Sequence, residues 1–210
     1  MRIITGTARG TRLITLEGEA TRPTGEMVKE ALFSMIQFDI EGRRALDLFA
    51  GSGQLGLEAL SRGAASAVMT DISRDAVDVI LANAQKARLR EHCSVSAMDY
   101  QSYLKGAAGR VAFDLIFLDP PYNTDCMANA LRLIADGGIL APGGVIVCET
   151  DTEEAERKKR AKKNEDADEA VKKDVFMSDE ALMGRFTVRK TARYGRTRIT
   201  LLEAASKEDE

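Results

Sequence analysis

Short apolar runs alternate along the chain with segments whose apolar residues recur at helical spacing, and this alternation predicts an α/β fold. The runs begin near residues 45, 66, 93, 111 and 143 and are typical of buried strands. Between two of them, Ile80 and Ala84 share one face of a helix that Ser73 can cap. Strands and helices in this order predict a doubly wound, mostly parallel sheet.

The N-terminal arm departs from this alternation. Residues 2–5 and 11–16 are predicted to form two short strands around Gly10, and a helix is predicted to begin at Thr24. The arm is locally basic through four arginines, Arg2, Arg9, Arg12 and Arg22. Charge by itself is more typical of an ordinary solvated hairpin than of a binding site.

The last part of the chain contains a charged stretch and a hairpin. Residues 151–174 hold eight basic and nine acidic residues without an apolar stripe, which predicts a solvated helix or a mobile insertion. Residues 185–193 and 196–203 predict two strands turned at Gly195, and residues 204–210 predict a frayed tail.

The glycine turn Gly51-Ser52-Gly53 lies between the first apolar run and a helix. Glycines let the backbone turn sharply and let a ligand approach its N–H groups, and the helix N-terminus adds free amides. With Gly56 the turn also matches a dinucleotide fingerprint, in which Asp71 would bind the ribose. Asp47 argues against that interpretation, because a carboxylate just before the turn repels a pyrophosphate and favours an ammonium group. S-adenosylmethionine carries an ammonium and a sulfonium and has no phosphate.

Acidic residues end four of the predicted strands: Asp47, Asp71, Asp99 and Asp119. Ligands of a doubly wound sheet bind at the carboxyl ends of its strands, so these carboxylates are expected to meet at one site. Four carboxylates favour a ligand with an adenosine and an amine over a phosphate.

Asp119-Pro120-Pro121-Tyr122 follows a strongly apolar strand and is the best candidate for a catalytic stretch. Proline removes backbone donors and leaves carbonyls that can accept hydrogen bonds. The Asp119 carboxylate and the Pro120 carbonyl could accept both hydrogens of a nucleobase amino group and aim its lone pair at an electrophile. Tyr122 offers a flat face on which a base can stack. A methyl sulfonium would be that electrophile, in agreement with Asp47.

The length, composition and net charge of the chain narrow the class of protein. Of 210 residues, 44% are hydrophobic and 30% charged, which suits a globular domain, and no stretch approaches the length of a membrane span. The first residues lack a signal peptide's apolar core, and three scattered cysteines predict free thiols, so we expect a cytoplasmic protein. His92 is the single histidine, which excludes a histidine metal cluster. The net charge of −3 requires any nucleic-acid binding to come from local patches.

These motifs together resemble the RsmD family, bacterial methyltransferases that act on a guanine N2 of small-subunit ribosomal RNA. The resemblance rests on the stretches 1–10, 22–24, 30–33, 47–53, 56–64 and 113–122, covers residues 1–150 and resumes at Tyr194-Gly195. It implies a class I, Rossmann-like methyltransferase domain with a seven-stranded sheet at 41–203 and a small RNA-gripping extension at 1–40. The charged insertion at 151–174 is not part of the family pattern.

The resemblance also implies roles for particular residues. S-adenosylmethionine would be the cofactor, S-adenosylhomocysteine the product, and no metal is implied. The implied cofactor residues are Asp47, Ala50, Gly51, Ser52 and Gly53 for the methionine part, Asp71 for the ribose and Asp99 for the adenine amine, with Ile72 and Met98 beside them. Asp119 to Tyr122 would hold the target base, and Arg9, Arg12 and Arg22 would contact RNA. The implied partner of this monomer is small-subunit ribosomal RNA or the assembling subunit.

Three alternatives stay open. An adenine-N6 methyltransferase of DNA or RNA uses a similar Asp-Pro-Pro-Tyr stretch, although such an enzyme usually needs a separate target-recognition domain. A nicotinamide-dependent oxidoreductase would explain the glycine turn but not Asp119 to Tyr122. An RNA-binding module without activity would not need the acids at 47 and 119.

Overall fold

The computed structural model describes residues 1–16, 25–121, 125–151, 177 and 179–205. The helices are α1 (Gly25–Met35), α2 (Gln54–Ser61), α3 (Arg74–Lys86), α4 (Tyr100–Ala107), α5 (Cys126–Asp136) and α6 (Glu180–Met183). The strands are β1 (Arg44–Asp47), β2 (Ser66–Asp71), β3 (Cys93–Ala97), β4 (Phe113–Leu118), β5 (Leu140–Asp151), β6 (Phe186–Tyr194) and β7 (Thr197–Ala204).

All seven strands join one sheet in the order β3-β2-β1-β4-β5-β7-β6. The first five strands are parallel, and β7 lies antiparallel to both β5 and β6. The sequence prediction of a doubly wound, mostly parallel, seven-stranded sheet is therefore confirmed. The carboxyl ends of β1 to β5 meet at one edge, where the order reverses next to β1.

Helices cover both faces of this sheet. On one face the N-terminal residues and helices α1 to α3 pack around Phe117 and Val147. On the other face α4, α5 and α6 pack around Leu118 and Cys148. Because the central strands are buried on both sides, they are apolar at successive positions rather than at every second one.

The N-terminal residues do not form the two predicted strands. The described part of this arm contains a single antiparallel bridge between Arg2 and Arg12. Around this bridge the amides of Ile3 and Leu13 donate to the carbonyls of Thr11 and Met1, both at 3.0 Å. The pairing extends no further because the amides of Ile4 and Thr5 donate to the carboxylate of Glu58 instead, at 2.8 and 3.0 Å. Gly6 permits this close approach, since a Cβ there would lie 1.7 Å from the Ser61 carbonyl oxygen.

Buried charges hold the arm, α1 and α2 together. Glu58 is fully buried and faces Lys29 of α1, with Nζ and Oε2 3.3 Å apart, and Arg62, with Nε and Oε1 2.8 Å apart. Burial lowers the pKa of Lys29, although Glu58 opposes that shift. Lys29 also donates to the Arg2 carbonyl at 2.6 Å. The described residues among the first 40 therefore share one hydrophobic core with the sheet.

Other boundaries differ in detail from the sequence prediction. Helix α4 was not anticipated, because only Leu104 and Ala107 of its eight residues are buried. Strand β5 continues to Asp151, so the predicted insertion begins inside a strand, and residues 152–176 lie outside the described residues. Thr24 and residues 206–210 also lie outside them. The Ser73 cap is confirmed, since its Oγ accepts from the Ala76 amide at 3.3 Å.

The thiols match the sequence prediction. Cys93 and Cys148 are buried and free, and Cys126 is a half-buried free thiol at the start of α5. Among the described helices, none combines the length and the apolar composition that crossing a bilayer requires.

Candidate active site

A cleft of about 540 Å³ opens at the carboxyl edge of the sheet. The four acids predicted at strand ends, Asp47, Asp71, Asp99 and Asp119, all line it, and so does Glu149 near the end of β5. A cleft of this size accommodates a small organic ligand. The structure therefore brings together the acids that the sequence pattern placed at one site.

Asp47 is the most deeply buried of these acids, with 1% of its surface exposed. Its Oδ2 accepts from the Gly56 amide at 3.1 Å, whereas its Oδ1 makes no hydrogen bond with the described residues. Burial raises the pKa of Asp47 to about 7, and Asp119 and Asp71 add to the shift, while backbone amides of Gly56 and Phe49 oppose it. A cationic donor in the cleft would satisfy the orphaned oxygen and stabilise the charged form.

Asp71 has a different environment at the end of β2. Its Oδ2 accepts from the Gly51 amide and its Oδ1 from the Ser73 amide, each at 2.9 Å. These bonds fix the carboxylate between the glycine turn and the start of α3. Each carboxylate oxygen keeps a second lone pair, so Asp71 can still accept from the two hydroxyls of a ribose.

The amides of Gly51, Gly53 and Gly56 are already paired within the protein. The Gly51 amide donates to Asp71, the Gly53 amide donates to the Ala50 carbonyl at 2.6 Å, and the Gly56 amide donates to Asp47. A pyrophosphate needs such amides as donors, so the turn fits a dinucleotide poorly. Two of these three donors are used by carboxylates, which would repel a phosphate.

Two of the glycines are required by packing. Ala50, Gly51 and Ser52 line the cleft, but Gly53 lies outside its lining. Gly53 has a φ of 78° and begins α2 against Ile80, where a Cβ would approach Cγ2 to 3.1 Å. At Gly56 a Cβ would lie 2.7 Å from the sulfur of Met69. The turn thus needs glycine for tight packing as well as for a sharp bend.

The far end of the cleft is built by the residues after β2 and β3. Ile72 and Met98 are apolar and 77% and 41% exposed, so they provide a surface on which a flat ring could pack. The Oδ1 of Asp99 caps α4 by accepting from the amides of Gln101 and Ser102, both at 3.0 Å. Hydrogen bonds from Ser102 hold the pKa of Asp99 below its usual value, so the carboxylate stays charged.

Asp119, Pro120 and Pro121 form the cleft wall after β4. Pro120 is buried and Pro121 is exposed, so the stretch leaves the sheet toward the surface. Asp119 lies close enough to raise the pKa of Asp47. The predicted stacking residue Tyr122 lies outside the described residues.

The arginines predicted to bind RNA lie on the arm and not in the cleft. Arg9 and Arg12 are exposed and form no ion pair with the described residues, whereas Arg2 pairs with Glu26, with Nε and Oε2 3.2 Å apart. Arg9 follows Ala8, whose amide donates to Ser61 at the far end of α2. Arg12 lies nearer to the cleft, because the amide of the following residue, Leu13, donates to the carbonyl of Met1, which lines the cleft. Arg22 lies outside the described residues.

Several cleft residues were not predicted from the sequence. Glu149 could have been predicted by the rule that identified the other acids, because it too lies near the end of a strand, β5. Gln54 lines the cleft with a buried Oε1 that has no partner among the described residues. Lys29, Cys126 and Thr197 also line it, and no local pattern marks them. Within the described part of the chain, no group of three or more histidine, cysteine or acidic side chains could hold a metal ion.

Comparison with known proteins agrees with this architecture. The family model described as Conserved hypothetical protein 95 matches residues 1–177. The chain is 42% identical to YlbH of Bacillus subtilis over 154 residues, which are 73% of this chain and 84% of YlbH. It is 36% identical over 152 residues to ribosomal RNA small subunit methyltransferase D of Haemophilus influenzae, covering 72% of this chain and 79% of that protein. The solved structure of yhhF from Escherichia coli superposes with a TM-score of 0.74 at 25% identity over 97% of both chains.

The sheet order, the helices on both faces and the acid-lined cleft define a class I, Rossmann-like methyltransferase fold. The chain belongs to the Conserved hypothetical protein 95 family, which is the RsmD family of methyltransferases. The resemblance seen in the sequence is confirmed.

Proposed function

We propose that this protein transfers a methyl group from S-adenosylmethionine to the exocyclic N2 amine of a guanine in small-subunit ribosomal RNA. The observation that carries the proposal is the position of Asp119 and Pro120 on the wall of a cleft whose deepest carboxylate, Asp47, is orphaned. One side of the cleft thus suits a cationic cofactor, and the other suits an amino group. The name of the Haemophilus influenzae relative supports the choice of RNA.

The described residues fit S-adenosylmethionine. The orphaned Oδ1 of Asp47 would accept from its ammonium group, and Asp71 would accept from the ribose hydroxyls. Ile72 and Met98 would pack against the adenine, with Asp99 beside its amine. When bound there, the cofactor supplies an electrophilic methyl group.

Asp119 and Pro120 would position the acceptor nitrogen. The Asp119 carboxylate and the Pro120 carbonyl accept its two hydrogens, which turns the lone pair toward the methyl carbon. S-adenosylmethionine held by Asp47 and Asp71 would supply the methyl group to this nitrogen and would keep the electron pair of its carbon–sulfur bond as a neutral thioether. The methylated nitrogen then loses one proton, which Asp119 or solvent takes. Substrate positioning by preset acceptors is the main contribution of the protein in this scheme.

The geometry disfavours the nicotinamide alternative. A dinucleotide would place a pyrophosphate where Asp47 is buried and where the amides of Gly51 and Gly56 already bond to carboxylates. An adenine-N6 substrate shares the Asp119-Pro120 chemistry and has to be distinguished by experiment.

Nucleoside analysis tests the proposed reaction. Small subunits from cells that lack this protein are incubated with the purified protein and S-adenosylmethionine labelled in the methyl group. After digestion of the RNA, we expect the label in N2-methylguanosine. Label in N6-methyladenosine would instead identify an adenine enzyme, and label in neither nucleoside would contradict amino methylation.

The basic arm is proposed to contact RNA phosphates. Replacing Arg9 and Arg12 with alanine should weaken RNA binding and reduce the slope of log Kd against log salt by about one to two, because each lost phosphate contact removes nearly one unit. Lys105 and Arg110, exposed residues on the side away from the arm, provide a control that removes the same charge. Binding titrations at several salt concentrations measure both pairs. If the two double variants gave equal slopes, Arg9 and Arg12 would have no specific role in RNA binding, and the arm would be an ordinary solvated hairpin.

A further inference from the structure

We propose that Glu149 selects guanine by accepting a hydrogen bond from the N1–H of the target base. The inference rests on the proposed function and adds the residue that distinguishes guanine from adenine. It concerns a cleft residue outside the Asp119 to Tyr122 stretch.

Strand pairing brings Glu149 beside Asp119. In the parallel β4–β5 pair, Phe117 is opposite Val147 and Leu118 is opposite Cys148. One step further along both strands places Asp119 opposite Glu149. Adjacent strands lie about 4.8 Å apart, so two such side chains can contact one small ring.

The two carboxylates also share a face of the sheet. Phe117 and Val147 pack into the core on the α1 side. Side chains alternate along a strand, so residues two positions on point to the same face. Both acids line the cleft there, together with Val28 of α1.

The order of the strands places Glu149 on the substrate side. Strand β4 lies between β1 and β5, so Asp119 stands between Asp47 and Glu149. A base whose amino group points from Asp119 toward the cofactor would therefore present its neighbouring ring edge to β5. The amino-bearing carbon of guanine is flanked by N1, which carries a hydrogen, and by N3, which carries a lone pair, and of these only N1–H can donate to a carboxylate.

The chemistry of N1 then decides which base fits. Guanine carries a hydrogen on N1 beside its N2 amine, whereas adenine carries a lone pair on N1 beside its N6 amine. An ionised carboxylate can only accept hydrogen bonds, so it pairs with guanine N1–H and repels adenine N1. A carboxylate offers about four acceptor positions, so a contact that Glu149 makes within the protein leaves acceptors for the base.

A base analogue and a conservative variant test this role together. 2-Aminopurine keeps the amino group at C2 but has an acceptor at N1. The methylated guanosine is first located with the wild-type protein, and small subunits are then reconstituted with guanine or 2-aminopurine at that position. The wild-type protein should prefer guanine by about 10²-fold or more in kcat/KM, because a site built for a donor rejects an analogue without it.

Glu149→Gln should reduce the preference for guanine over 2-aminopurine in kcat/KM by about tenfold or more. The glutamine amide can donate to N1 of 2-aminopurine and can also accept from guanine N1–H. Glu149→Ala should lower transfer to guanine without improving transfer to 2-aminopurine. Glu91→Gln, an exposed acid at the opposite edge of the sheet, is the matched control and should keep the wild-type preference. Cofactor affinity and melting temperature should stay unchanged in Glu149→Gln.

The possible outcomes separate the inference from the proposed function. Normal transfer to guanine with the same preference in wild type and Glu149→Gln would overturn the role of Glu149 alone. Absence of label on any guanine N2 with the wild-type protein would overturn the proposed function and the inference with it. A narrowed preference in Glu149→Gln but not in Glu91→Gln would support both.

Discussion

Asp119→Ala is expected to lower the single-turnover rate of methyl transfer by about 10²–10³-fold, the typical loss when an oriented partner at a reacting centre is removed. Asp119 lines the cleft after β4, and alanine removes both its charge and its acceptor oxygens. Cofactor affinity should change little, because Asp119 is proposed to hold the amino group. Rapid-quench measurement with saturating labelled cofactor gives the rate.

Asp119→Asn separates two possible contributions of this carboxylate. The asparagine keeps an acceptor oxygen and nearly the same shape but has no charge. If orientation of the amino group dominates, Asp119→Asn should retain substantial activity. If proton removal or charge dominates, it should fall nearly as far as Asp119→Ala.

Asp125→Ala is a matched control for the Asp119 variants. Asp125 lies in the same connection between β4 and α5, is exposed, and makes no side-chain cap bond to the helix. Its rate should stay near that of the wild type. Near-wild-type transfer by Asp119→Ala on RNA that still binds would rule out this stretch as catalytic, and amino methylation with it.

Asp47→Asn is expected to raise the melting temperature of the protein without ligand and to weaken cofactor binding. The pKa of Asp47 is about 7 in the folded protein against an ordinary value of 3.8, because burial disfavours the charge. The folded state therefore holds the proton more tightly than the unfolded chain. The stabilisation that this bound proton provides is complete below about pH 4. It decreases as the pH rises and is lost above about pH 7, which lowers the free energy of unfolding by up to about 4 kcal/mol.

Neutral asparagine removes that cost at pH 8 and keeps an acceptor for the Gly56 amide, while its buried NH2 group offsets about 1–3 kcal/mol of the gain. We expect a rise of several degrees in melting temperature, since 1 kcal/mol corresponds to roughly 2–4 °C in a chain of this size. The lost ion pair with the ammonium should weaken cofactor binding by about tenfold or more. Scanning calorimetry and isothermal titration calorimetry measure the two effects.

Asp71→Asn is the contrasting variant. Both oxygens of Asp71 accept from backbone amides, and an asparagine replaces one of these acceptors with a donor. Asp71 is half-buried, so the mismatched donor should cost less than the roughly 1–3 kcal/mol of a fully buried one. Asp71→Asn should therefore lower the melting temperature slightly, while Asp47→Asn raises it. Shifts of the same sign in both variants would contradict the different environments assigned to the two acids.

The same pKa predicts a pH dependence of cofactor affinity. Binding needs the Asp47 carboxylate, so the affinity of the wild-type protein should fall by about fivefold between pH 7 and pH 6 as the group takes up a proton. The window stays below about pH 7.7, where an α-amino group begins to lose its own proton. Asp47→Asn should show no such change over this window, and an equal slope in both proteins would assign the titration to another group.

The sequence by itself determined the parts of this protein that depend on neighbouring residues. Apolar runs and helical spacing predicted the alternating elements, and the Ser73 cap lies where the pattern placed it. The acids at strand ends, from Asp47 to Asp119, were recognisable because a parallel sheet brings all such ends to one edge. The Asp119-Pro120-Pro121 stretch was recognisable because its chemistry lies in consecutive residues.

The tertiary structure alone decided how those residues are used. The strand pairing of the arm is limited to the bridge between Arg2 and Arg12 because Glu58 and Ser61, more than 50 positions away in the chain, accept from its other amides. The amides of Gly51 and Gly56 donate to Asp71 and Asp47 in the same way. Burial of Asp47 and the placement of Glu149 beside Asp119 depend on strand order and register, because hydrogen-bond partners and desolvation are set by contacts between distant segments that no local pattern contains.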